Sequence, residues 1–300
     1  MKSIPDALHH FLRDAAIVFI VGITFFVVPV ELLAHRVQNN FLWKRHHLEA
    51  NLESISTLLF GNSMFELSFN NHVLGDSAFN AAQMGRLIYY DVAIAERYIP
   101  QMPNLHTVIY PLCVGGLVVG GNDINSGVEY AKSWQIPCRT FPQNILCYSK
   151  LLTGRFSLKN YLTDIRCDSV GYQPLSGVWK GEMVAGYDPP TRNSKREVDS
   201  FTVYLTHLAR ICSENNVRLI AITPPLTDLY IDWTPDSVYY DLHRVVKTVQ
   251  ASYPMEYLDY THDADFRDNS LYHDPIHPNH TGATRLAERV AEDFHLGPYR

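Results

Sequence analysis

The sequence predicts an α/β fold, a five-stranded parallel sheet between two layers of helices, preceded by one N-terminal transmembrane helix. Short apolar runs alternate with amphipathic helical stretches along most of the chain. Strands that alternate with helices form parallel sheets covered on both faces. The transmembrane helix is predicted by residues 15–30, an apolar run without a charged side chain.

Size and composition set the first limits on function. The chain has 300 residues and a formal net charge of -6. It is long enough for a large core, and it lacks the concentrated basic face that nucleic-acid binding requires, so we expect no nucleic-acid partner. None of the five cysteines forms a C-x-x-C pair or lies near a histidine at zinc-ligand spacing. Free thiols are expected, or a disulfide among Cys138, Cys147 and Cys167 in an oxidising compartment.

The apolar run from Ala15 to Val30 is followed by Glu31 and then by three more apolar residues. A spanning helix needs about 20 mostly apolar residues, so the run crosses a membrane if Glu31 lies at the hydrated interface. A cleavable signal peptide is one alternative, although no small-x-small cleavage pattern follows the run. A buried core helix is another. Basic residues nearly balance on the two sides, so charge alone does not determine the orientation.

The rest of the chain divides into a linker and one globular domain. We expect residues 1–36 to form the anchor, 37–53 a polar linker and 54–300 the α/β domain. The predicted strands are 55–60, 77–80, 107–110, 217–222 and 256–259. The predicted helices are 64–70, 87–98, 195–214, 238–249 and 279–294. Residues 114–193 do not follow the alternation and contain a helical fragment around 143–152, so we interpret them as an insertion that shapes a substrate or partner surface.

A serine follows the first predicted strand closely, in the segment Gly61-Asn62-Ser63. At that position a side chain lies at the carboxyl edge of the sheet, where such folds bind ligands. The start of the next helix supplies N–H donors and partial positive charge. These features suit a nucleophile whose attack creates an oxyanion. The alternative role for Ser63 is a helix N-cap, which serine fills often.

The last predicted helix is preceded by Asp274-Pro275-Ile276-His277. A serine nucleophile needs a base to take its proton, and that imidazole needs a carboxylate to fix its tautomer. Asp274 and His277 can meet this need, which predicts a triad with Ser63 Oγ roughly 2.6–3.2 Å from His277. Two further histidines lie nearby, so a metal site is the alternative. No second group of ligands occurs in the sequence, and we expect neither a metal nor another cofactor.

Together, these two segments resemble motifs of the SGNH/GDSL hydrolase family. Gly61-Asn62-Ser63 is similar to its first motif, and Asp274-Pro275-Ile276-His277 is similar to its last, D-x-x-H. The resemblance implies a flavodoxin-like three-layer sandwich in which Ser63 is the nucleophile, with Asp274 and His277 as its partners. It also implies an oxyanion hole that includes the N–H groups of Ser63 and Gly85.

The family's third motif, G-x-N-D, has no counterpart directly after the third predicted strand. A Gly120-Gly121-Asn122-Asp123 string occurs several residues later. Asn122 is therefore a candidate oxyanion donor that needs a loop to bring it back to the site. The alternative is a plain turn, because Gly and Asn are common in turns.

The layout also resembles a membrane-anchored branch of this family that acylates or deacylates cell-surface polymers. The likeness lies in the anchor, residues 79–98, the missing third motif and Ile222-Thr223-Pro224-Pro225. It implies a serine-dependent O-acyltransferase or esterase acting on an acylated glycan or lipid carrier. The domain would lie in the periplasm or at the cell surface, with a membrane-embedded acyltransferase as a partner.

Two other functions stay open at this point. One is a non-catalytic subunit that binds glycan or belongs to an acyltransferase complex, and the missing third motif favours it. The other is a soluble lipase-like enzyme whose apolar N-terminus serves only as a secretion signal.

Overall fold

The computed structural model describes residues 6–36, 38–114, 116–117, 127, 129–137, 149, 163–182, 190–191 and 193–297. The Gly120–Asp123 string with Asn122 lies outside these ranges, as do Cys138, Cys147 and nearly all of the helical fragment predicted around 143–152. The three described cysteines, Cys113, Cys167 and Cys212, are free thiols.

The N-terminal apolar segment is one continuous helical stretch. It consists of α1 (Asp6–Gly22), a π-helical turn (Ile23–Val27) and α2 (Val28–Arg36). The helical stretch Ala7–Ala34 has 28 residues, and none of its apolar 18-residue window, which has a mean hydropathy of 2.6, is buried against the protein. A buried core helix is therefore excluded. By length and composition the helix can cross a membrane, although a signal sequence passes the same test.

Glu31, near the end of this helix, has protein partners. One of its carboxylate oxygens lies 3.5 Å from Nζ of Lys132, and the other accepts a hydrogen bond from Oγ of Ser149 at 3.0 Å. Both partners belong to the predicted insertion, Lys132 in the π-helical turn Tyr130–Trp134. Glu31 was expected to need hydration at an interface, but the insertion meets part of that need.

The segment that the sequence suggests is a linker contains a helix, α3 (Asn40–Ala50). The side chain of Asn39 caps it by accepting the backbone N–H of Leu42 at 2.9 Å. Lys44 and Leu48, on this helix, are completely buried. The chain thus passes from the apolar helix into the domain core within a few residues.

Five short parallel strands form the central sheet. They are β1 (Thr57–Leu59), β2 (Ala78–Asn80), β3 (Thr107–Pro111), β4 (Arg218–Thr223) and β5 (Glu256–Asp259). Their order is β2-β1-β3-β4-β5, and every neighbouring pair is parallel. This is the flavodoxin-like order, in which the winding reverses between β1 and β3 and ligands bind at the carboxyl ends of the strands there. The predicted α/β class and its five parallel strands are confirmed.

Successive residues of the strands pack on opposite faces of the sheet. Leu58 and Val108 belong to the core on one face, and their neighbours Leu59 and Ile109 belong to the core on the other. All four are completely buried. A sheet buried on both faces produces continuous apolar runs in the sequence, which is why the strands were recognisable there.

Helices cover both faces. On the face of Leu58, α3 packs with three other helices, α5 (Ile88–Tyr98), α6 (Lys195–Glu214) and α8 (Asp236–Gln250). The opposite face is covered by α4 (Ser63–Glu66) and α9 (His280–Asp293). A short helix, α7 (Asp228–Trp233), follows β4.

The helix predicted over 64–70 is shorter than expected, because it ends at Glu66. Its last carbonyl groups bond to other parts of the chain. The carbonyl oxygen of Phe65 accepts Nδ2 of Asn80 at 2.7 Å, and that of Glu66 accepts the N–H of Gln173 at 2.9 Å. Tertiary donors therefore replace the N–H groups that a longer helix would supply.

Candidate active site

Ser63 is the first residue of α4, just beyond the carboxyl end of β1. Asn62 precedes it as the N-cap, with its side-chain oxygen accepting the N–H of Met64 at 3.0 Å. The capping role that was the alternative for Ser63 is thus filled by its neighbour. The Ser63 hydroxyl is available for another partner.

The turn that presents Ser63 depends on Gly61. Its φ is +114°, a conformation that L side chains rarely adopt. A Cβ atom at this position would lie 2.4 Å from Cγ of Pro111, at the end of β3. The N–H of Gly61 donates to Oδ1 of Asp91 at 3.3 Å, and its carbonyl oxygen accepts the N–H of Gln83 at 3.0 Å. Hydrogen bonds to both the N–H and the carbonyl oxygen of Gly61 therefore hold the turn in place.

Ser63, His277 and Asp274 form a continuous hydrogen-bond chain. Oγ of Ser63 lies 2.9 Å from Nε2 of His277, within the predicted range. Nδ1 of the same imidazole lies 2.8 Å from Oδ2 of Asp274. The carboxylate accepts, so Nδ1 carries the proton of the neutral ring, and Nε2 is left to accept the Ser63 hydroxyl. Asp274 and His277 are each 8% exposed.

The loop that carries Asp274 and His277 is fixed by hydrogen bonds to its backbone groups. Oδ1 of Asp274 accepts the N–H groups of Ile276 at 3.0 Å and His277 at 2.8 Å. The carbonyl oxygen of Pro275 accepts Oγ1 of Thr227 at 2.7 Å. Thr227, the N-cap of α7, was not singled out from the sequence, because nothing local indicates that it meets a loop far along the chain.

His273 and His280, the two histidines near His277 that suggested a metal site, bond to groups of the insertion. Nδ1 of His273 lies 2.6 Å from the carbonyl oxygen of Ser176, and Nδ1 of His280 lies 3.3 Å from the hydroxyl of Tyr172. Ser176 and Tyr172 belong to the insertion. Within the described part of the chain, no three His, Cys, Asp or Glu side chains are grouped to hold a metal ion.

A cavity of about 220 Å³ opens beside Ser63. Its wall is mostly apolar and comes from the start of α4, the loops that follow β3 and β4, α7 and the loop before α9. The apolar contributors include Met64, Val114, Leu226 and Ile276. The serine hydroxyl therefore adjoins a space suited to an apolar group.

A second nucleophilic atom, the thiol of Cys113, lines the same cavity. Its Sγ lies 3.4 Å from Nδ2 of Asn62. Burial raises the pKa of this thiol to about 11. The thiol is therefore protonated at neutral pH, and a protonated thiol is a poor nucleophile. Ser63, by contrast, has its hydroxyl within hydrogen-bond distance of the His277 imidazole.

Gly85 lies in the loop after β2, residues 81–86, which we call the Gly85 loop. Its φ of +69° is again in the region that favours glycine. The bond from Gln83 to the carbonyl oxygen of Gly61 places this loop beside the serine turn. The role of Gly85 as an oxyanion donor stays a prediction, as does that of Asn122.

A buried ion pair, Arg86 with Asp91, lies next to the serine turn and was not predicted from the sequence. Nε of Arg86 lies 2.8 Å from Oδ1 of Asp91, and both side chains are completely buried. Burial raises the pKa of Asp91 to about 6, while the positive charge of Arg86 opposes that rise. A signal was present, because Asp91 lies on the apolar face of α5 between Ile88 and Val92. Its carboxylate is the acceptor for the N–H of Gly61.

No protein-family model matches the sequence, and no curated protein matches it. Solved structures do match. A GDSL-like lipase from Bacteroides thetaiotaomicron VPI-5482 is 10% identical with a TM-score of 0.44, and the match covers 85% of this chain and 98% of that one. A lipase/acylhydrolase from Enterococcus faecalis is 14% identical with a TM-score of 0.42, covering 82% and 99%.

A catalytic mutant of an acetylxylan esterase from Geobacillus stearothermophilus is 11% identical with a TM-score of 0.39, and the match covers 83% of this chain and 97% of that one. GDSL-like lipases, acylhydrolases and acetylxylan esterases are thus among the solved structures to which this chain is similar.

Proposed function

We propose that this chain is a membrane-anchored, serine-dependent acyl-transfer enzyme, an O-acyltransferase or esterase, that acts on an acylated glycan or other cell-envelope substrate. The hydrogen-bond chain of Ser63, His277 and Asp274 carries the proposal, with distances of 2.9 Å and 2.8 Å. A hydroxyl bonded to an unprotonated imidazole nitrogen, itself oriented by a carboxylate, is the arrangement that activates serine.

In the proposed reaction, Oγ of Ser63 attacks the carbonyl carbon of the acyl donor while Nε2 of His277 takes the hydroxyl proton. Asp274 stabilises the imidazolium that forms. The N–H groups of Ser63 and Gly85 donate to the oxyanion of the tetrahedral intermediate. Collapse of the intermediate expels the donor's alcohol, which takes the proton from His277, and leaves the acyl group esterified to Ser63.

A second hydroxyl group then releases the acyl group from Ser63. His277 takes the proton of that hydroxyl as its oxygen attacks the ester, and returns it to Oγ of Ser63. Water as the attacking molecule gives an esterase, and a sugar hydroxyl gives an O-acyltransferase. Both reactions use the same residues and differ in whether the acceptor site excludes water. The apolar cavity beside Ser63 is suited to the acyl part of the donor.

We also propose that the N-terminal helix stays attached and spans the membrane, with the domain in the periplasm or at the cell surface. Large apolar side chains on the helix are exposed, among them Val18 at 72%, Phe25 at 70% and Phe26 at 75%. Such a surface is unfavourable in water and matches a bilayer. The contact of Glu31 with Lys132 supports a retained helix, because a cleaved signal contributes no ion pair to the mature domain.

A membrane fractionation checks the anchor. We expect the protein to remain in the membrane fraction after an alkaline carbonate wash and to keep its apolar segment on N-terminal sequencing. A soluble protein whose N-terminus lies beyond Ala34 would instead show that the segment is a secretion signal.

Ser63→Ala is expected to abolish covalent labelling by a fluorophosphonate probe, because the variant has no nucleophilic oxygen. Labelling is measured by in-gel fluorescence on the full chain in detergent. Ser54→Ala is the matched control, since Ser54 is exposed and its hydroxyl donates to the carbonyl oxygen of Asn51 within its own turn. It should label like the wild type. A folded wild type that does not label would favour the non-catalytic glycan-binding or partner subunit.

A further inference from the structure

We propose that Lys44 and Glu66 form a positioning pair that holds the Gly85 loop against the serine helix α4. The pair makes no contact with the triad and has no part in the mechanism above. The inference rests on the proposed acyl transfer at Ser63.

The two side chains meet in the protein interior. Nζ of Lys44 lies 3.2 Å from Oε1 of Glu66, and the side chains are 0% and 2% exposed. Each partner also holds the Gly85 loop. Nζ of Lys44 donates to the carbonyl oxygen of Ala82 at 2.5 Å, and Oε2 of Glu66 accepts the N–H of Met84 at 2.5 Å. The pair thus bonds to the loop at Ala82 and at Met84, the two residues on either side of Gln83.

Glu66 connects this loop to the helix that carries Ser63. It is the last residue of α4, and Ser63 is the first. Met84, whose amide Glu66 holds, immediately precedes Gly85. Fixing that amide restrains the peptide that carries the Gly85 N–H. An oxyanion donor must lie within a fraction of an ångström of its required position, so such a restraint acts on the rate of the chemical step.

Stability alone does not account for a charged pair at this place. Removing two charges from water is costly, and well-packed apolar residues of similar size are often as stable as a buried ion pair. The Glu66 carboxylate is nevertheless supplied with several donors. Besides Lys44 and Met84, Nδ2 of Asn40 lies 3.2 Å from Oε1. Because Asn40 and Lys44 both lie on α3, one carboxylate joins the helix that follows the apolar segment to the serine helix and the Gly85 loop.

The test compares two double variants of the full-length protein in detergent. Lys44→Met with Glu66→Leu removes both charges and the acceptor for the Met84 N–H, while keeping side chains of similar size. Lys44→Met with Glu66→Gln also removes both charges but leaves a side-chain oxygen for that N–H. The difference between the two isolates the contact with Met84.

We measure kcat and KM for p-nitrophenyl acetate and the melting temperature of each protein. The leucine variant is expected to melt near the wild type, with kcat lowered by about 10²-fold and KM little changed, as for loss of an oxyanion donor. The glutamine variant is expected to recover most of kcat. Leu48→Ala is the matched control, because it removes a buried side chain of the same helix and leaves the pair intact. It should lower the melting temperature and keep kcat.

The outcomes separate this proposal from the proposed function. A wild type that does not react at Ser63 overturns the proposed function and this inference with it. A reactive wild type whose leucine variant keeps its kcat overturns the positioning role alone. Loss of the fold in the leucine variant would show that the pair serves stability, and would overturn the positioning role as well.

Discussion

Asp274→Asn is expected to lower the acyl-transfer rate by about 10⁴-fold while leaving the fold intact, the loss typical of this change in a serine triad. An asparagine amide facing Nδ1 of His277 donates a hydrogen bond where the carboxylate accepted one. The imidazole proton then moves to Nε2, which can no longer accept the Ser63 hydroxyl. The side-chain oxygen of Asn can still accept the N–H groups of Ile276 and His277, so the loop keeps its shape.

The measurement is the rate of ester cleavage, with thermal unfolding to show that the variant is folded. Asp76→Asn serves as the control, because Asp76 is exposed and lies far along the chain from the Asp274 loop. It should behave as the wild type. A folded Asp274→Asn protein within tenfold of the wild-type rate, roughly 1.4 kcal/mol of activation free energy, would contradict the role assigned to the carboxylate.

Gly61→Ala is expected to destabilise the protein by about 3–5 kcal/mol and to inactivate what remains folded. Two independent effects contribute. The φ of +114° is unfavourable for alanine, and the added Cβ would lie 2.4 Å from Cγ of Pro111. Relief of that overlap must move β3 or the turn that carries Ser63. Either movement changes the distance from Oγ to Nε2 of His277.

Chemical denaturation measures the loss of stability, and probe labelling of the folded fraction measures the loss of reactivity. Gly297→Ala is the matched control, because a Cβ atom there meets nothing within 4 Å. It is expected to change the free energy of unfolding by less than about 0.5 kcal/mol. If Gly61→Ala is as stable as the wild type, the turn can adjust to a Cβ atom, and the expectation that only glycine fits at this position is wrong.

The regular elements were predictable because their patterns are local. The strands β3 and β5 and the helices α5 and α6 were placed within one or two residues of their observed ends. Each has a continuous apolar run or a helical periodicity over its whole length. The helix predicted over 64–70 was wrong beyond Glu66, because donors from Asn80 and Gln173 take the carbonyl groups at its end.

The α3 segment shows that composition alone does not distinguish a linker from a buried helix. A stretch with several charged and histidine side chains suggested a linker, yet Lys44 is completely buried in it. Its partners are Glu66 and the carbonyl oxygen of Ala82, both distant in sequence. A hydropathy pattern carries no information on such partners, so it cannot indicate that a charge is compensated. The Arg86–Asp91 pair differs, because the position of Asp91 on the apolar face of α5 was a signal in the sequence.

By itself, the sequence determined the α/β class, the five strands and the three residues of the candidate site. These follow from short motifs and from periodicities that a folded chain must satisfy locally. Only the tertiary structure decided that Asn62, and not Ser63, caps α4, since both residue types cap helices well. It also decided that Oγ of Ser63 meets Nε2 of His277 at 2.9 Å across 214 residues of sequence. That contact depends on the strand order, which places β1 between β2 and β3, and on long-range bonds such as that from Thr227 to Pro275.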